Sequence, residues 1–183
     1  MPPQKIRRAN AGLVLIDLQE RLLPAICGSA RLVRNVICLL DGAKILGLPI
    51  FVTEQHPKGL GSTVQQVAQL IPDYAPFHKL AFSACGAEGF GKALKEKDLK
   101  QVVLCGIEAH VCVTQTCLDL LKEGLTIFVV ADAISSRTEQ NHQIGLERMR
   151  DAGAVIVSTE MILFELLETA GTEEFKQILA LVK

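Results

Sequence analysis

The segment QVVLCGIEAHVCV, residues 101–113, joins an apolar run to a group of reactive side chains. The run at 102–104 has no polar face, which predicts a strand that is buried on both sides and ends near Gly106. A helical pattern then extends from Cys112 to Glu123. A buried strand followed directly by a helix is the repeating unit of α/β folds, so this segment decides the fold class.

The same alternation of short apolar runs and helical patterns continues along the whole chain. Ser29 is expected to cap a helix over 29–47, and Ser62 a short helical stretch after it. The other predicted strands are 13–18, 49–55, one within 75–84, 126–133 and 154–158. The other predicted helices are GFGKALKEK, 138–153 and a C-terminal part that contains a helix start at Thr172. We predict one domain, residues 1–183, with a three-layer αβα fold around a central, mainly parallel sheet of about six strands.

Composition limits the classes of function. Of the 183 residues, 49% are hydrophobic and 21% are charged, as in globular proteins. The net charge of −1 and the absence of any block of like charges argue against a nucleic-acid partner or an anionic membrane. No apolar stretch is long enough to span a bilayer, and MPPQKIRRAN at the start lacks the features of a secretory signal. We therefore expect a cytosolic protein, with mitochondrial import as the alternative.

Six cysteines raise the question of disulfides, metal ligands or a nucleophile. Thiols stay reduced in the cytosol, and no CxxC or Cys/His cluster has the spacing of a zinc site, so we expect no disulfide, metal or cofactor. Cys38, Cys105 and Cys117 lie in apolar surroundings and are expected to be buried, whereas Cys27 and Cys85 lie in predicted loops. Cys112 stays open at this point, as a core residue, a ligand or a nucleophile.

Reactive side chains follow several predicted strands at the edge where α/β sheets bind ligands. They are Asp17, Glu54, Gln55, Lys79, Glu108, His110, Cys112 and Asp132. Asp17 and Asp132 could instead be helix caps or loop anchors, and His110 a plain loop residue. Lys79 lies between Phe77 and Phe82, where an unpaired charge would be costly, so an acid at a neighbouring strand end is its expected partner.

Asp17, Lys79 and Cys112 can therefore converge although they lie far apart in the sequence. A nearby cation and a helix N-terminus both favour the thiolate over the thiol, so Lys79 is expected to lower the pKa of Cys112. A carboxylate can accept the thiol proton and return it to a leaving group. These three groups suit acyl transfer through a thioester.

Five motifs occur in order along nearly the whole chain: LVLIDLQ (13–19), FHKLAFSA (77–84), GIEAHVCV (106–113), VVADAISSR (129–137) and ERMRDAGAVIVSTE (147–160). In these motifs the sequence resembles the isochorismatase-like cysteine hydrolases, which include nicotinamidases and N-carbamoyl amidases. It is most similar to the small isochorismatase-domain-containing proteins.

The resemblance implies a catalytic triad of Asp17, Lys79 and Cys112 acting on a small-molecule substrate. It implies a cis peptide bond between Ile107 and Glu108, with the backbone N–H groups of Glu108 and Cys112 directed at the developing oxyanion. Gln19, beside the catalytic acid, is expected to line the substrate pocket. The family also implies a homo-oligomer.

Two departures from family patterns bear on the substrate. Zinc-dependent nicotinamidases carry a DxHxxH ligand set after the second strand, whereas this chain has TEQHPKG (53–59) there. True isochorismatases lack the cysteine and cleave a vinyl ether. The sequence therefore predicts hydrolysis of a small amide or related C–N bond without metal. The alternatives are ether hydrolysis that does not need Cys112, and a non-catalytic scaffold or redox-thiol protein of the same fold.

Overall fold

A computed structural model describes residues 4–183 of the chain. Residues 1–3, the first part of the segment in which no secretory signal is expected, lie outside the described residues. Within residues 4–183, no helix has both the length and the apolar composition needed to cross a membrane.

Six strands form one sheet in which every pairing is parallel. They are β1 (Ala11–Ile16), β2 (Ile50–Gln55), β3 (Phe77–Lys79), β4 (Gln101–Ile107), β5 (Thr126–Ser135) and β6 (Val155–Val157). Their order across the sheet is β3-β2-β1-β4-β5-β6. The predicted strands and the parallel sheet are confirmed.

Helices cover both faces of this sheet. They are α1 (Ser29–Ile45), α2 (Pro57–Leu60), α3 (Gln65–Ala68), α4 (Phe90–Glu96), α5 (Thr114–Lys122), α6 (Glu139–Asp151), α7 (Thr159–Leu167) and α8 (Glu173–Val182). Helices α1, α7 and α8 pack against the face that carries Leu13 and Leu15, and α4, α5 and α6 pack against the face that carries Val14 and Ile16. All six residues of β1 are buried because both faces are covered. The three-layer αβα prediction is confirmed.

Two predicted helix starts differ from the structure. The cap of α1 is Gly28, which has the left-handed φ of 63°, and Ser29 is the first helical residue. Ser62 caps no helix, because the next residue, Thr63, forms an isolated antiparallel bridge with Gln19 and α3 begins only at Gln65. The expected start at Thr172 is confirmed, since its side chain accepts a hydrogen bond from the backbone N–H of Phe175.

Strand order reverses between β1 and β4, which lie side by side at the centre of the sheet. The chain runs outward from β1 through β2 to β3, and then outward on the other side from β4 through β5 to β6. At this junction Gly106 pairs with Ile16 and has a φ of 111°. A Cβ atom on Gly106 would collide with the carbonyl oxygen of Ile16, so the close approach of the two strand ends requires glycine. Ligands of open α/β sheets bind outside the carboxyl ends of the strands at such a reversal, which is where Asp17 and Glu108 follow their strands.

Candidate active site

Asp17 follows β1 directly and is fully buried. It has a φ of 47°, and its backbone N–H donates to the carbonyl of Thr53 on the neighbouring strand. One carboxylate oxygen, Oδ1, accepts a hydrogen bond from the Thr53 hydroxyl at 2.7 Å. The other, Oδ2, lies 2.6 Å from Lys79 Nζ. The carboxylate is thus fixed in one orientation at the strand reversal.

Lys79, the last residue of β3, has a fully buried side chain. Besides Asp17, its ammonium group donates to Gln55 Oε1 at 2.8 Å and to the carbonyl of Phe82 at 2.9 Å. These bonds use all three of its N–H groups, and the buried charge has the carboxylate partner that the sequence predicted.

Cys112 lies in a single π-helical turn, Ala109–Val113, that leads from β4 into α5. The predicted helix therefore begins three residues before Cys112 rather than at it. The wider turn is held by Thr114, whose hydroxyl donates to the carbonyl of Ala109 at 2.6 Å, and by the carbonyl of Glu108, which accepts from Val113. Cys112 thus occupies the first turn of the helix, where backbone N–H groups have no partner inside the helix.

The pKa of the Cys112 thiol is raised, whereas the sequence predicted that it is lowered. Only 7% of the residue is exposed, and burial raises the pKa of the thiol to about 12. Asp17 also raises this pKa, while Lys79 lowers it. The predicted lowering of the pKa by Lys79 is therefore outweighed by burial, and at neutral pH the resting group is the thiol. Both partners act on the same sulfur, so the three predicted residues do come together.

The peptide bond between Ile107 and Glu108 is cis, as the resemblance implied. This cis bond directly precedes the π turn. The backbone N–H groups of Glu108 and Cys112 therefore belong to the same short segment, which follows the end of β4. The side chain of Glu108 turns to Arg137, with 2.9 Å between Glu108 Oε2 and Arg137 Nε.

Gln19 has contacts that differ from those of a pocket residue. It is fully buried, and its Nε2 donates to the carbonyls of Gln55 and Gly61 at 3.0 and 2.6 Å. Its Oε1 accepts from the backbone N–H of Gln55 at 2.8 Å. Because both of its N–H groups are used, the expected substrate contact is not supported, and Gln19 holds the end of β2 beside β1.

Two polar residues at the site were not assigned a role from the sequence. Thr53 orients Asp17, and Gln55 orients Lys79. Their position at the end of an otherwise apolar strand could have indicated a role, because a buried hydroxyl or amide group needs a hydrogen-bond partner. Which partner it takes depends on the pairing of β2 with both β1 and β3, which the sequence pattern does not specify.

The remaining reactive side chains at this edge have structural partners. Glu54 accepts hydrogen bonds from Thr63 and from the Tyr74 hydroxyl, and Asp132 accepts from the backbone and side chain of Thr159 at the start of α7. His110 Nδ1 lies 2.9 Å from the Ser136 hydroxyl. The anchor interpretation thus describes Asp132, whereas Asp17 has the contacts of a site residue.

All six cysteines are free. Cys105 and Cys117 are buried, and burial raises the pKa of both thiols. Cys27 and Cys85 are exposed, and Cys38, which was expected to be buried, is only half-buried. Among residues 4–183, no three His, Cys, Asp or Glu side chains come together in an arrangement that could hold a metal ion.

A cleft of about 430 Å³ opens beside Lys79, between the ends of β2 and β3. It is lined by His56, Pro57, Lys58, His78, Lys79 and Leu80. A larger cavity of about 630 Å³ lies at the opposite edge of the sheet, where its walls include the first residues of β1 and β2. Of Asp17, Lys79 and Cys112, the smaller cleft is lined by Lys79.

Comparison with known sequences identifies relatives over most of the chain. The sequence model of the Isochorismatase domain matches residues 11–161. A secreted isochorismatase effector, Isc1, from Phytophthora sojae is 39% identical over 181 residues, which cover 93% of this chain and 83% of that protein. Isochorismatase domain-containing protein 2 from Xenopus laevis is 37% identical over 174 residues, which cover 95% of this chain and 84% of that protein.

Solved structures share the fold. The MAR1 ribonuclease from Caenorhabditis elegans has a TM-score of 0.92 at 37% identity, covering 98% of this chain and 92% of that chain. The octameric YcaC hydrolase of unknown specificity from Escherichia coli has a TM-score of 0.92 at 26% identity, covering 99% of this chain and 92% of that chain. The family that the motifs suggested is confirmed, and the chain belongs to the isochorismatase family.

Proposed function

We propose that the chain is a cysteine hydrolase that cleaves a small amide or related C–N bond through a thioester on Cys112. The observation that carries this proposal is the fully buried Asp17–Lys79 ion pair beside the thiol, at the strand reversal of a parallel sheet. A buried ion pair is costly to hold in place, and buried titratable groups grouped around a nucleophile are typical of catalytic sites.

The first step follows from the resting protonation state. Because the pKa of Cys112 is raised to about 12, the proton must leave as the sulfur attacks. Asp17 accepts this proton while the sulfur bonds to the substrate carbonyl carbon, and the carbonyl oxygen becomes an oxyanion. The backbone N–H groups of Glu108 and Cys112 donate to that oxyanion.

In the second half of the reaction, Asp17 donates a proton twice, first to the leaving nitrogen and later to the Cys112 sulfur. Asp17 gives its proton to the leaving nitrogen, the C–N bond breaks, and the amine or ammonia leaves the thioester on Cys112. Water then attacks the thioester and gives one proton to Asp17. When the C–S bond breaks, that proton returns to the Cys112 sulfur and the carboxylic acid is released.

Lys79 acts in this scheme as a fixed positive charge. Its three N–H groups are already donated, so it affects the sulfur mainly through its charge and keeps the Asp17 carboxylate in place. As negative charge develops on the sulfur, the attraction to Lys79 grows, which stabilises the transition state more than the resting thiol.

The relatives support a hydrolase, and their described activities differ in substrate. YcaC is described as a hydrolase, Isc1 as an isochorismatase and MAR1 as a ribonuclease. Ether hydrolysis would proceed without Cys112, and a ribonuclease would have to hold RNA with a chain whose net charge is −1. The buried acid–lysine pair next to a thiol favours the amide reaction.

The test is release of ammonia from a panel of small amides, ureas and carbamoyl compounds, with isochorismate and RNA as further substrates. For the best amide substrate, Cys112→Ala should lower kcat/KM by at least about a thousandfold, because the covalent intermediate is lost. The control variant is Cys117→Ala, which removes a buried thiol from α5 and should keep kcat/KM within a few fold.

Three outcomes would contradict the proposal. Full activity of Cys112→Ala on an amide would exclude the thioester. Turnover of isochorismate or RNA alone, independent of Cys112, would assign the fold a different reaction. Absence of turnover across the whole panel would favour the non-catalytic alternative.

A further inference from the structure

The larger cavity, of about 630 Å³, lies at the amino ends of β1 and β2 and takes no part in the proposed reaction. It opens where β3 leaves part of β2 uncovered, since β3 pairs only with Thr53–Gln55 and Ile50 has no strand beside it on that side. Ala11, the first residue of β1, also lines it. At about 3.3 Å per residue, the six residues of β1 place the cavity about 20 Å from Asp17. Its volume lies within the range of small-molecule sites, roughly 300–1,000 Å³.

The lining of this cavity is positively charged. Arg8, Lys44 and Lys97 line it, and none of the described lining residues is acidic. Lys44 is partly neutralised by Asp41, with 2.7 Å between Lys44 Nζ and Asp41 Oδ1. Lys97 follows α4, is exposed and forms no ion pair within residues 4–183. The charge distribution of the cavity therefore favours an anion.

Arg8 is held in a way that leaves one end of its guanidinium free. Its Nε donates to the carbonyl of Leu46 at the end of α1, and its Nη1 lies 2.9 Å from Glu174 Oε1 on α8. In the part of the chain that the structure describes, Nη2 has no hydrogen-bond partner. Because two contacts already fix the side chain, little of its entropy is lost when Nη2 binds an anion.

Gly47 leaves open space beside this free nitrogen. It follows α1 with a φ of 67°, a left-handed conformation that favours glycine. Apart from its chain neighbours, a Cβ atom built on Gly47 would have a single atom within 4 Å, Arg8 Nη2 at 3.8 Å. Arg8 Nη2 thus borders the cavity rather than packed protein, and the space next to it has room for a ligand group.

The other walls of the cavity are mainly apolar. They include Leu48, Pro49, Ile50, Pro72 and Leu99. We propose that this cavity is a second ligand site, which binds a small organic anion such as a phosphate ester. The anionic group is bound by Arg8 and the two lysines, and the apolar body of the ligand packs against the apolar walls. This inference does not depend on the proposed amide hydrolysis.

The test measures binding of 1-naphthyl phosphate to the full-length protein by titration calorimetry. 1-Naphthol is the matched neutral ligand, and inorganic phosphate is the anion without an apolar body. 1-Naphthyl phosphate should bind at least about tenfold more tightly than either of them, because it alone uses both the charged and the apolar parts of the cavity.

Two variants locate the site. Lys97→Glu reverses the charge of an exposed lining residue and should weaken binding of 1-naphthyl phosphate by at least about tenfold, while the affinity for 1-naphthol changes less than twofold. Gly47→Asn fills the space beside Arg8 Nη2 with a residue that tolerates a positive φ, and should also weaken 1-naphthyl phosphate by at least about tenfold. Lys58→Glu is the matched control, since Lys58 is an exposed lysine of the cleft beside Lys79, and it should leave the affinity unchanged. Thermal unfolding verifies that each variant is folded, and Lys97→Glu keeps the test decisive if Gly47→Asn is not.

Four outcomes would overturn the inference. Equal affinity for 1-naphthyl phosphate and 1-naphthol would remove the role of the cations, and equal affinity for inorganic phosphate would remove that of the apolar walls. Weaker binding to Lys58→Glu together with unchanged binding to Lys97→Glu would place the anion in the cleft beside Lys79 instead. Absence of binding at millimolar 1-naphthyl phosphate would show that the cavity is not a site for this class of ligand.

Discussion

Cys112 is buried, and burial raises the pKa of its thiol, whereas reactive cysteines usually have a lowered pKa and are partly exposed. The pKa of about 12 means that a negligible fraction is thiolate at neutral pH, although a lysine lies beside the sulfur. Lys79 donates hydrogen bonds to Asp17, Gln55 and the Phe82 carbonyl, and it lowers the pKa of the sulfur by less than burial raises it. In the proposed reaction, the thiol would therefore lose its proton only when a substrate carbonyl is present.

Thiol labelling tests this resting state. With limiting iodoacetamide at pH 7, the exposed Cys27 should be modified before Cys112, which is 7% exposed. The rate at Cys112 should rise by about tenfold per pH unit between about pH 7 and 10, since the thiolate is the reactive species and this range lies below its pKa. Peptide mapping by mass spectrometry reads all six sites, and a urea-denatured sample, in which every cysteine is accessible, is the control. Faster labelling of Cys112 than of Cys27 at pH 7 would mean that Lys79 outweighs burial.

The Asp17–Lys79 pair makes a prediction about stability. Both side chains are fully buried, so Lys79→Met should lower the free energy of unfolding by about 3–5 kcal/mol by leaving an uncompensated carboxylate. Asp17→Asn/Lys79→Met should lose less than the sum of the two single variants, since no buried charge stays unpaired. The measurement is urea denaturation of the four proteins.

Lys100 provides a matched control for this ion pair. Lys100 Nζ and Asp98 Oδ1 also lie 2.6 Å apart, but the two side chains are 64% and 84% exposed. Lys100→Met should therefore change stability by less than about 1 kcal/mol. Similar losses for Lys79→Met and Lys100→Met would show that burial does not decide the energy of the pair.

At the scale of elements, the contact between β1 and β4 fixes where the reacting groups meet. Gly106 and Ile16 pair near the end of both strands, two residues before Glu108 on one and directly before Asp17 on the other. Any displacement of one strand end moves Asp17 relative to Cys112. The backbone contact at Gly106 therefore affects both stability and the geometry of the site.

Gly106→Ala should destabilise the fold by at least about 3 kcal/mol, because its positive φ and its contact with the Ile16 carbonyl both oppose a Cβ atom. Gly91, inside α4, is the contrasting position: no atom lies within 4 Å of an added Cβ. Gly91→Ala should raise stability by about 0.5–1 kcal/mol through its higher helix propensity. Thermal unfolding of the two variants measures both effects, and a tolerated Gly106→Ala would contradict the close approach described here.

Elements with strong local signals could be predicted from the sequence, and those defined by tertiary pairing could not. The apolar run of β1 and the Thr172 cap of α8 are local signals, and both are confirmed. The π turn that carries Cys112 has hydrogen bonds between residues five apart, to Ala109 and Glu108, and apolar periodicity does not distinguish such a turn from an α-helix. Ser62 had the right residue type for a cap, but the bridge between Thr63 and Gln19 takes that segment out of the helix.

At the scale of the whole molecule, the alternation of strands and helices predicted the layers, while the residues alone left the strand order open. The convergence of Asp17 with Lys79 depends on that order, because β2 lies between their two strands and supplies Thr53 and Gln55 to orient them. The residue types and their positions at strand ends suggested that Asp17, Lys79 and Cys112 converge, and the resemblance implied that they form a catalytic triad. The orienting residues became visible only once the sheet was assembled.

The surface next to the site makes the last prediction, which concerns assembly. Leu80 is 76% exposed and Phe82 is 53% exposed, and both lie in the segment that directly follows Lys79. Adjacent exposed apolar side chains of this size favour a protein interface, and a structural relative is octameric. We expect a homo-oligomer in solution that Leu80→Asp/Phe82→Ser shifts toward the monomer in analytical ultracentrifugation. Ile144 on α6 is 52% exposed without such a neighbour in sequence, so Ile144→Asp is the control and should leave the assembly intact. A wild-type monomer at micromolar concentration, or an assembly unaffected by the double variant, would exclude this surface as the contact between copies.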